Sequence, residues 1–196
     1  MMKRLTLLAM GMTLALANLP AHAGAKLGAD VTGAESVTDT VIVPAVGTTT
    51  PAVSIPVIGL VTGGVGKANF RLMPDGSLSY TLKVSVLPAT PIFMAHIHLG
   101  PMGRNGPVML WLFGDAASGP NPGATFPRND GPFTGEISGM FTAANLTAPA
   151  GTGVVNFTDA VKNIIAGNAY VNVHTVAKPG GEIRGQISRQ GHHGHD

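Results

Sequence analysis

Two histidines one residue apart, His96 and His98, and a third, His174, in a later apolar stretch carry the clearest chemistry in this sequence. In a strand, positions two apart face the same side at about 6.5–7 Å, so His96 and His98 can turn toward one ion. His174 shares parity with Tyr170 and Asn172, opposite Val171 and Val173, and so leaves its strand on the polar side. Three neutral imidazoles suit zinc or copper and leave a fourth position for water or substrate. The competing expectation is that these rings are partly buried, hydrogen-bonded to backbone and to neighbours such as Asn172, and stabilise the fold without a metal. The spacing is compatible with both.

A second set of donors closes the chain, where His192, His193 and His195 lie between Gly191 and Asp196. A flexible cluster of imidazoles and carboxylates can chelate divalent ions, and it also reads as a plain solvated terminus. Catalytic patterns are missing elsewhere. Glu136, Asp115 and Asp130 form no paired-carboxylate motif, and no Ser or Lys sits in a nucleophile motif. No catalytic or organic-cofactor residue is therefore assigned. Glu182 and Arg184 share a strand parity and are expected to form an ion pair, with each other or with a neighbouring strand. Met73, Met94, Met102, Met109 and Met140 are expected as core filler, and Trp111 as a core anchor.

The elements that must position these residues are read from composition and period. The chain has 196 residues, 44% of them hydrophobic, with 27 Gly and 15 Pro, which is the balance of one turn-rich globular domain. Residues 1–23 form a secretory leader: Lys3 and Arg4, an apolar run from Leu5 to Leu19, and the small-residue ending Ala21-His22-Ala23, with cleavage expected after Ala23. The apolar run is too short to span a bilayer, so no transmembrane segment is expected in the mature chain. The product is exported, periplasmic or secreted. Removing Lys3 and Arg4 balances the 12 Lys plus Arg against the 10 Asp plus Glu, which argues against a nucleic-acid partner. With no Cys, neither a disulfide nor a lipidated-cysteine anchor is available.

From residue 24 to 56, Val41-Ile42-Val43 and Val53 to Leu60 are interrupted by Pro44, Pro51 and Pro56, the pattern of edge strands and loops, within the domain or as an extension of it. Ala68, Phe70 and Leu72, then Leu78, Tyr80, Leu82, Val84 and Val86, alternate with polar residues around Pro74-Asp75-Gly76. That is a β-hairpin. Strands are also expected over 92–99, 107–113, 133–141, 169–175 and 182–188, with a Gly/Pro-rich loop over 114–132. One short helix is expected near 158–166, capped by Thr158 and ended by Gly167. About eight short strands punctuated by turns give an all-β sandwich or barrel.

Three segments together carry a family resemblance. They are Ala95-His96-Ile97-His98-Leu99-Gly100-Pro101 leading into Asn105-Gly106-Pro107-Val108, then Ala169 to Thr175, then Pro179-Gly180-Gly181-Glu182-Ile183-Arg184-Gly185-Gln186. With Gly33-Ala34-Glu35-Ser36-Val37 echoing an opening motif, the chain resembles the CHRD domain, named after chordin, over residues 57–188, followed by a tail over 189–196. The resemblance implies an antiparallel β-sandwich, immunoglobulin-like or superoxide dismutase-like, and no settled reaction. The leading expectation is a non-enzymatic binding module of the bacterial envelope, with a protein or polysaccharide partner and a possible copper or zinc site. Alternatives are a copper or zinc metalloenzyme using His96, His98 and His174, and an adhesion or matrix module.

Overall fold

A computed structural model of the chain describes residues 22–43, 53–85, 92–114 and 135–190. The leader expected through Ala23, as far as Ala21, the loop expected over residues 114–132, beyond Gly114, and His192, His193 and His195 lie outside the described residues. Eleven strands, one α-helix and two single-turn 3-10 helices, Gly33–Glu35 and Ala143–Asn145, organise the described residues. In chain order the strands are β1 (Lys26–Thr32), β2 (Val37–Val43), β3 (Val53–Ile58), β4 (Val65–Leu72), β5 (Leu78–Ser85) and β6 (Ile92–Leu99). They continue with β7 (Val108–Gly114), β8 (Gly135–Phe141), helix α1 (Phe157–Ile165), β9 (Ala169–Thr175), β10 (Lys178–Gln186) and β11 (Ser188–Arg189).

The main sheet runs β7-β6-β9-β10-β1-β4-β5-β8, antiparallel at every pairing, with β11 alongside β1. It curls into a nearly closed barrel. Its ends are drawn together where Tyr80 Oη donates to Leu112 O at 3.0 Å, and the Tyr80 ring stacks on Phe141 with centroids 4.5 Å apart. Period-two alternation decides what faces inward. Leu78, Tyr80, Leu82 and Val84 of β5 are buried, as are Ala68, Phe70 and Leu72 of β4, Ala95 and Ile97 of β6, and Val171 and Val173 of β9. The β4–β5 hairpin pairs in unbroken register from Leu72↔Leu78 to Val65↔Ser85, as the alternation predicts. β7 is buried over all but its first residue, as a strand apolar on both parities requires.

Three local expectations need correction. The N-terminal stretch does not supply edge strands alone: β1 lies inside the sheet between β10 and β4, burying Leu27, Ala29 and Val31. Among the described residues, β2 and β3 pair with each other in a separate two-stranded ladder. The helix begins one residue early and is capped by Asn156, whose side chain accepts from Asp159 N at 3.0 Å, so Thr158 is not the cap. Its stripe Phe157, Ala160, Val161 and Ile164, at positions i, i+3, i+4 and i+7, packs into the main apolar core. Met109 is core, but Met102, in the turn after β6, and Met140, on the terminal strand β8, are exposed.

The inward face being apolar, the outward parity of β6, β9 and β10 is where polar groups gather. His96 lies across from Asn172, His98 across from Tyr170, and Met94 across from His174, while Arg184 and Gln186 of β10 flank Asn172 and Tyr170. His96, Asn172, His174 and Arg184 are nonetheless buried. Two segments cover them, residues 100–107 between β6 and β7 and residues 176–181, which run from the β9–β10 connection into the irregular start of β10.

Candidate metal centre

One ring nitrogen each from His96, His98 and His174 lies within 4.8 Å of the others. The three histidines singled out by spacing therefore converge, although two come from β6 and the third from a strand 76 residues later in the chain than His98. Their orientation is set by backbone. His98 Nδ1 donates to Gly106 O at 2.8 Å, and His174 Nδ1 donates to Pro179 O at 2.8 Å. Each bond places the proton on Nδ1 and leaves Nε2 with a lone pair, which is how accessory carbonyls prepare ligand histidines. His96 Nδ1 donates a hydrogen bond to His174 Nε2 at 3.3 Å, since the His174 proton sits on Nδ1. Two imidazole nitrogens on one tetrahedral zinc or copper ion, each about 2.0–2.1 Å from it, stand about 3.3 Å apart. The His96–His174 pair already has that separation. His98 Nε2 and His96 Nε2 are buried with no hydrogen-bond partner among the described residues.

The electrostatics keep the cluster neutral. Burial first, then the nearby His174 and His98, pushes the His96 pKa down to about 2. Burial likewise pulls His98 down to about 4, against the bond to Gly106, with His174 and Arg184 adding to the fall. His174 is lowered by burial, opposed by its bond to Pro179 O. Neutral imidazoles are the form a metal requires, so at neutral pH an ion displaces few protons.

The covering turns are held by residues whose role spacing did not reveal. Arg184 Nη1 donates to Asn105 Oδ1 at 3.2 Å, and its Nη2 donates to Pro101 O at 3.0 Å and Arg104 O at 2.9 Å. Gln186 Nε2 donates to Gly100 O at 3.0 Å. Gly181 has φ of +118°, and a side chain there would overlap the Asn172 amide, so the turn behind His174 needs glycine. The expected ion pair of Glu182 and Arg184 is not formed. The β10 bulge between Lys178 and Ile183 takes Glu182 elsewhere, where it accepts from Thr62 Oγ1 and, at 2.6 Å, from Thr175 Oγ1. Trp111 is buried as expected, yet it stands edge-on to the His96 ring with centroids 4.0 Å apart, outside the main apolar cluster. The signal for Arg184 lay in its parity: a charged residue in a strand whose neighbours are Gly and Ile must face the polar layer with Asn172.

The segments that carried the family resemblance meet at this layer. Glu35 accepts from Gln186 N at 2.8 Å, Ser36 Oγ donates to Glu182 O at 2.9 Å, and Asn105 Nδ2 donates to Val37 O at 3.1 Å. The family model of the CHRD domain matches residues 27–187, beginning in β1, and the chain belongs to that family. It is 29% identical over 126 residues to Chordin of Danio rerio, a match covering 64% of this chain and 10% of that protein. The chain thus spans about a tenth of that relative's length. No solved structure matches it. No helix among the described residues is long and apolar enough to cross a membrane.

Proposed function

We propose that this chain is an exported, non-enzymatic CHRD module in which His96, His98 and His174 hold one zinc or copper ion. The carrying observation is the convergence of three buried ring nitrogens within 4.8 Å, two of them on rings anchored through Nδ1 by backbone carbonyls. In this reading the ion ties β6 to β9 and, through Gly106 and Pro179, fixes the two covering turns. Such an ion organises the surface that the module offers to a protein or polysaccharide partner. Turnover would need substrate to reach the ion, and His96 and His174 are only 2% and 6% exposed. The leader, with cleavage after Ala23, supports delivery to the periplasm or beyond.

Metal-free protein incubated with zinc or copper(II) and then desalted is expected to retain one equivalent. A chain ending at Gln190, without the tail histidines, is expected to retain the same equivalent. His96→Ala and His174→Ala are expected to retain almost none while still unfolding cooperatively. Metal that disappears with the tail and survives both substitutions, or no retained metal at all, would overturn the reading.

A further inference from the structure

Arg184 is a cation only 1% exposed and, among the described residues, has no carboxylate in hydrogen-bond contact, and its place in the polar layer is specific. Its guanidinium carbon lies 3.3 Å from the centroid of the Tyr170 ring. The same ring is stacked on His98, with centroids 4.9 Å apart and planes 7° from parallel. Because β9 lies between β6 and β10, His98 and Arg184 reach the phenol ring from opposite sides. The order is guanidinium, phenol, imidazole.

Tyr170 also acts through its hydroxyl. Tyr170 Oη accepts from Gly106 N at 3.0 Å, and Gly106 O accepts from His98 Nδ1 at 2.8 Å. The turn that carries Gly106 is the one Arg184 staples at Pro101, Arg104 and Asn105. The plane of the His98 ring is thus set by the stack, and its tautomer by a carbonyl whose residue is pinned by the same tyrosine. We infer that Tyr170 and Arg184 are positioning residues of the metal centre, holding His98 with Nε2 bare and aimed at the ion. This inference rests on the metal-centre reading above. It also gives a reason for the Tyr170, Arg184 and Asn105-Gly106 positions to occur together: each supplies one contact of a single support around His98.

The physical expectation follows from what each group contributes. A ligand ring free to rotate, or to exchange its proton between Nδ1 and Nε2, binds an ion more weakly, and loss of one such supporting contact costs about 10–100-fold in affinity. Tyr170→Phe keeps the ring between His98 and the guanidinium and deletes only the acceptor for Gly106 N. Its affinity for cobalt(II), used as a coloured substitute for zinc, is expected to fall about 10–100-fold with the stoichiometry unchanged. The visible absorption of the bound cobalt is expected to shift as well. Arg184→Lys keeps the charge and loses the planar fork, and is expected to weaken cobalt binding in the same direction. In metal-free protein, imidazole nitrogen NMR shifts are expected to report His98 protonated at Nδ1 in the wild type and as a tautomer mixture in Tyr170→Phe. Lowered thermal stability with unchanged cobalt affinity, cobalt spectrum and His98 tautomer in Tyr170→Phe would make the role merely structural and overturn the inference. Wild-type protein that binds no cobalt would instead overturn the metal-centre reading on which it rests.

Discussion

Replacing Gly106 by alanine is expected to cost the native state about 4 kcal/mol or more, and to remove ion binding in whatever fraction stays folded. A methyl group at this position would overlap the carbonyl of Leu99, and the obstacle is backbone, which cannot rotate away. Relief requires the turn over residues 100–107 to lift from β6. That movement breaks Leu99 N to Pro107 O at 2.9 Å, Gly106 N to Tyr170 Oη, and His98 Nδ1 to Gly106 O together. It also exposes Arg184, whose acceptors Pro101 O and Arg104 O sit on the same turn. Urea unfolding followed by far-ultraviolet circular dichroism gives the stability, and equilibrium dialysis gives the ion. Alanine at Gly180, which meets open space, is the control and is expected to change stability by less than about 0.5 kcal/mol. A Gly106→Ala protein with wild-type stability would show that the turn is not seated as described.

Acidification is expected to have an effect of similar size. With a chelator present, lowering the pH from about 7.5 to about 5 is expected to cost about 2 kcal/mol for each of His96 and His98, with His174 adding in the same direction. Unfolded histidines titrate near 6.5, whereas His98 in the fold is held down to about 4 and His96 to about 2. Protons are therefore taken up first by the unfolded chain. The stability is complete above about pH 6.5, then is lost progressively as the pH falls toward about 4 for His98 and further for His96. Replacing His96 and His98 together by glutamine is expected to flatten this dependence between about pH 7 and 5. A wild-type stability that is level across that interval would contradict neutral burial of the rings.

Much of the site was legible in the sequence because strand parity is a strong rule. It placed His96 with His98 and put His174 on the side of Tyr170 and Asn172, and the sheet brings those two parities together because β6 and β9 are adjacent. The β4–β5 hairpin was equally legible, since its alternation runs through eight paired positions without a bulge. Two kinds of information were not local. β1 reads weakly as Leu27, Ala29 and Val31 among glycine and charged residues, and only the pairing with β4 and β10 makes it an interior strand. Parity with Glu182 predicts an ion pair for Arg184, within the strand or across to a neighbouring one. The bulge in β10 breaks that relation, and backbone carbonyls of a turn about 80 residues away replace the carboxylate. Helix capping failed for a smaller reason. Thr158 and Asn156 are both good caps, and the apolar stripe beginning at Phe157 selects the earlier one.

The family motifs acquire a physical meaning in this arrangement. Residues 95–108 supply two histidines and the turn above them, residues 169–175 supply the third histidine and the stacked tyrosine, and residues 179–186 supply Arg184, Gln186 and the carbonyl for His174. None of these segments forms the layer alone. The polar layer lies on the outer face of the barrel and is buried by its own turns, so it adds a second, small core to the apolar one.

The most direct test of the metal centre is X-ray absorption at the zinc edge of the protein ending at Gln190, loaded with one equivalent. Three imidazole nitrogens at about 2.0–2.1 Å, with the multiple-scattering pattern of histidine rings, are expected, and the imidazole count of whatever zinc His98→Ala still holds is expected to fall from three to two. A coordination sphere made of oxygen, or one unchanged by His98→Ala, would contradict the assignment of His96, His98 and His174 as a metal centre.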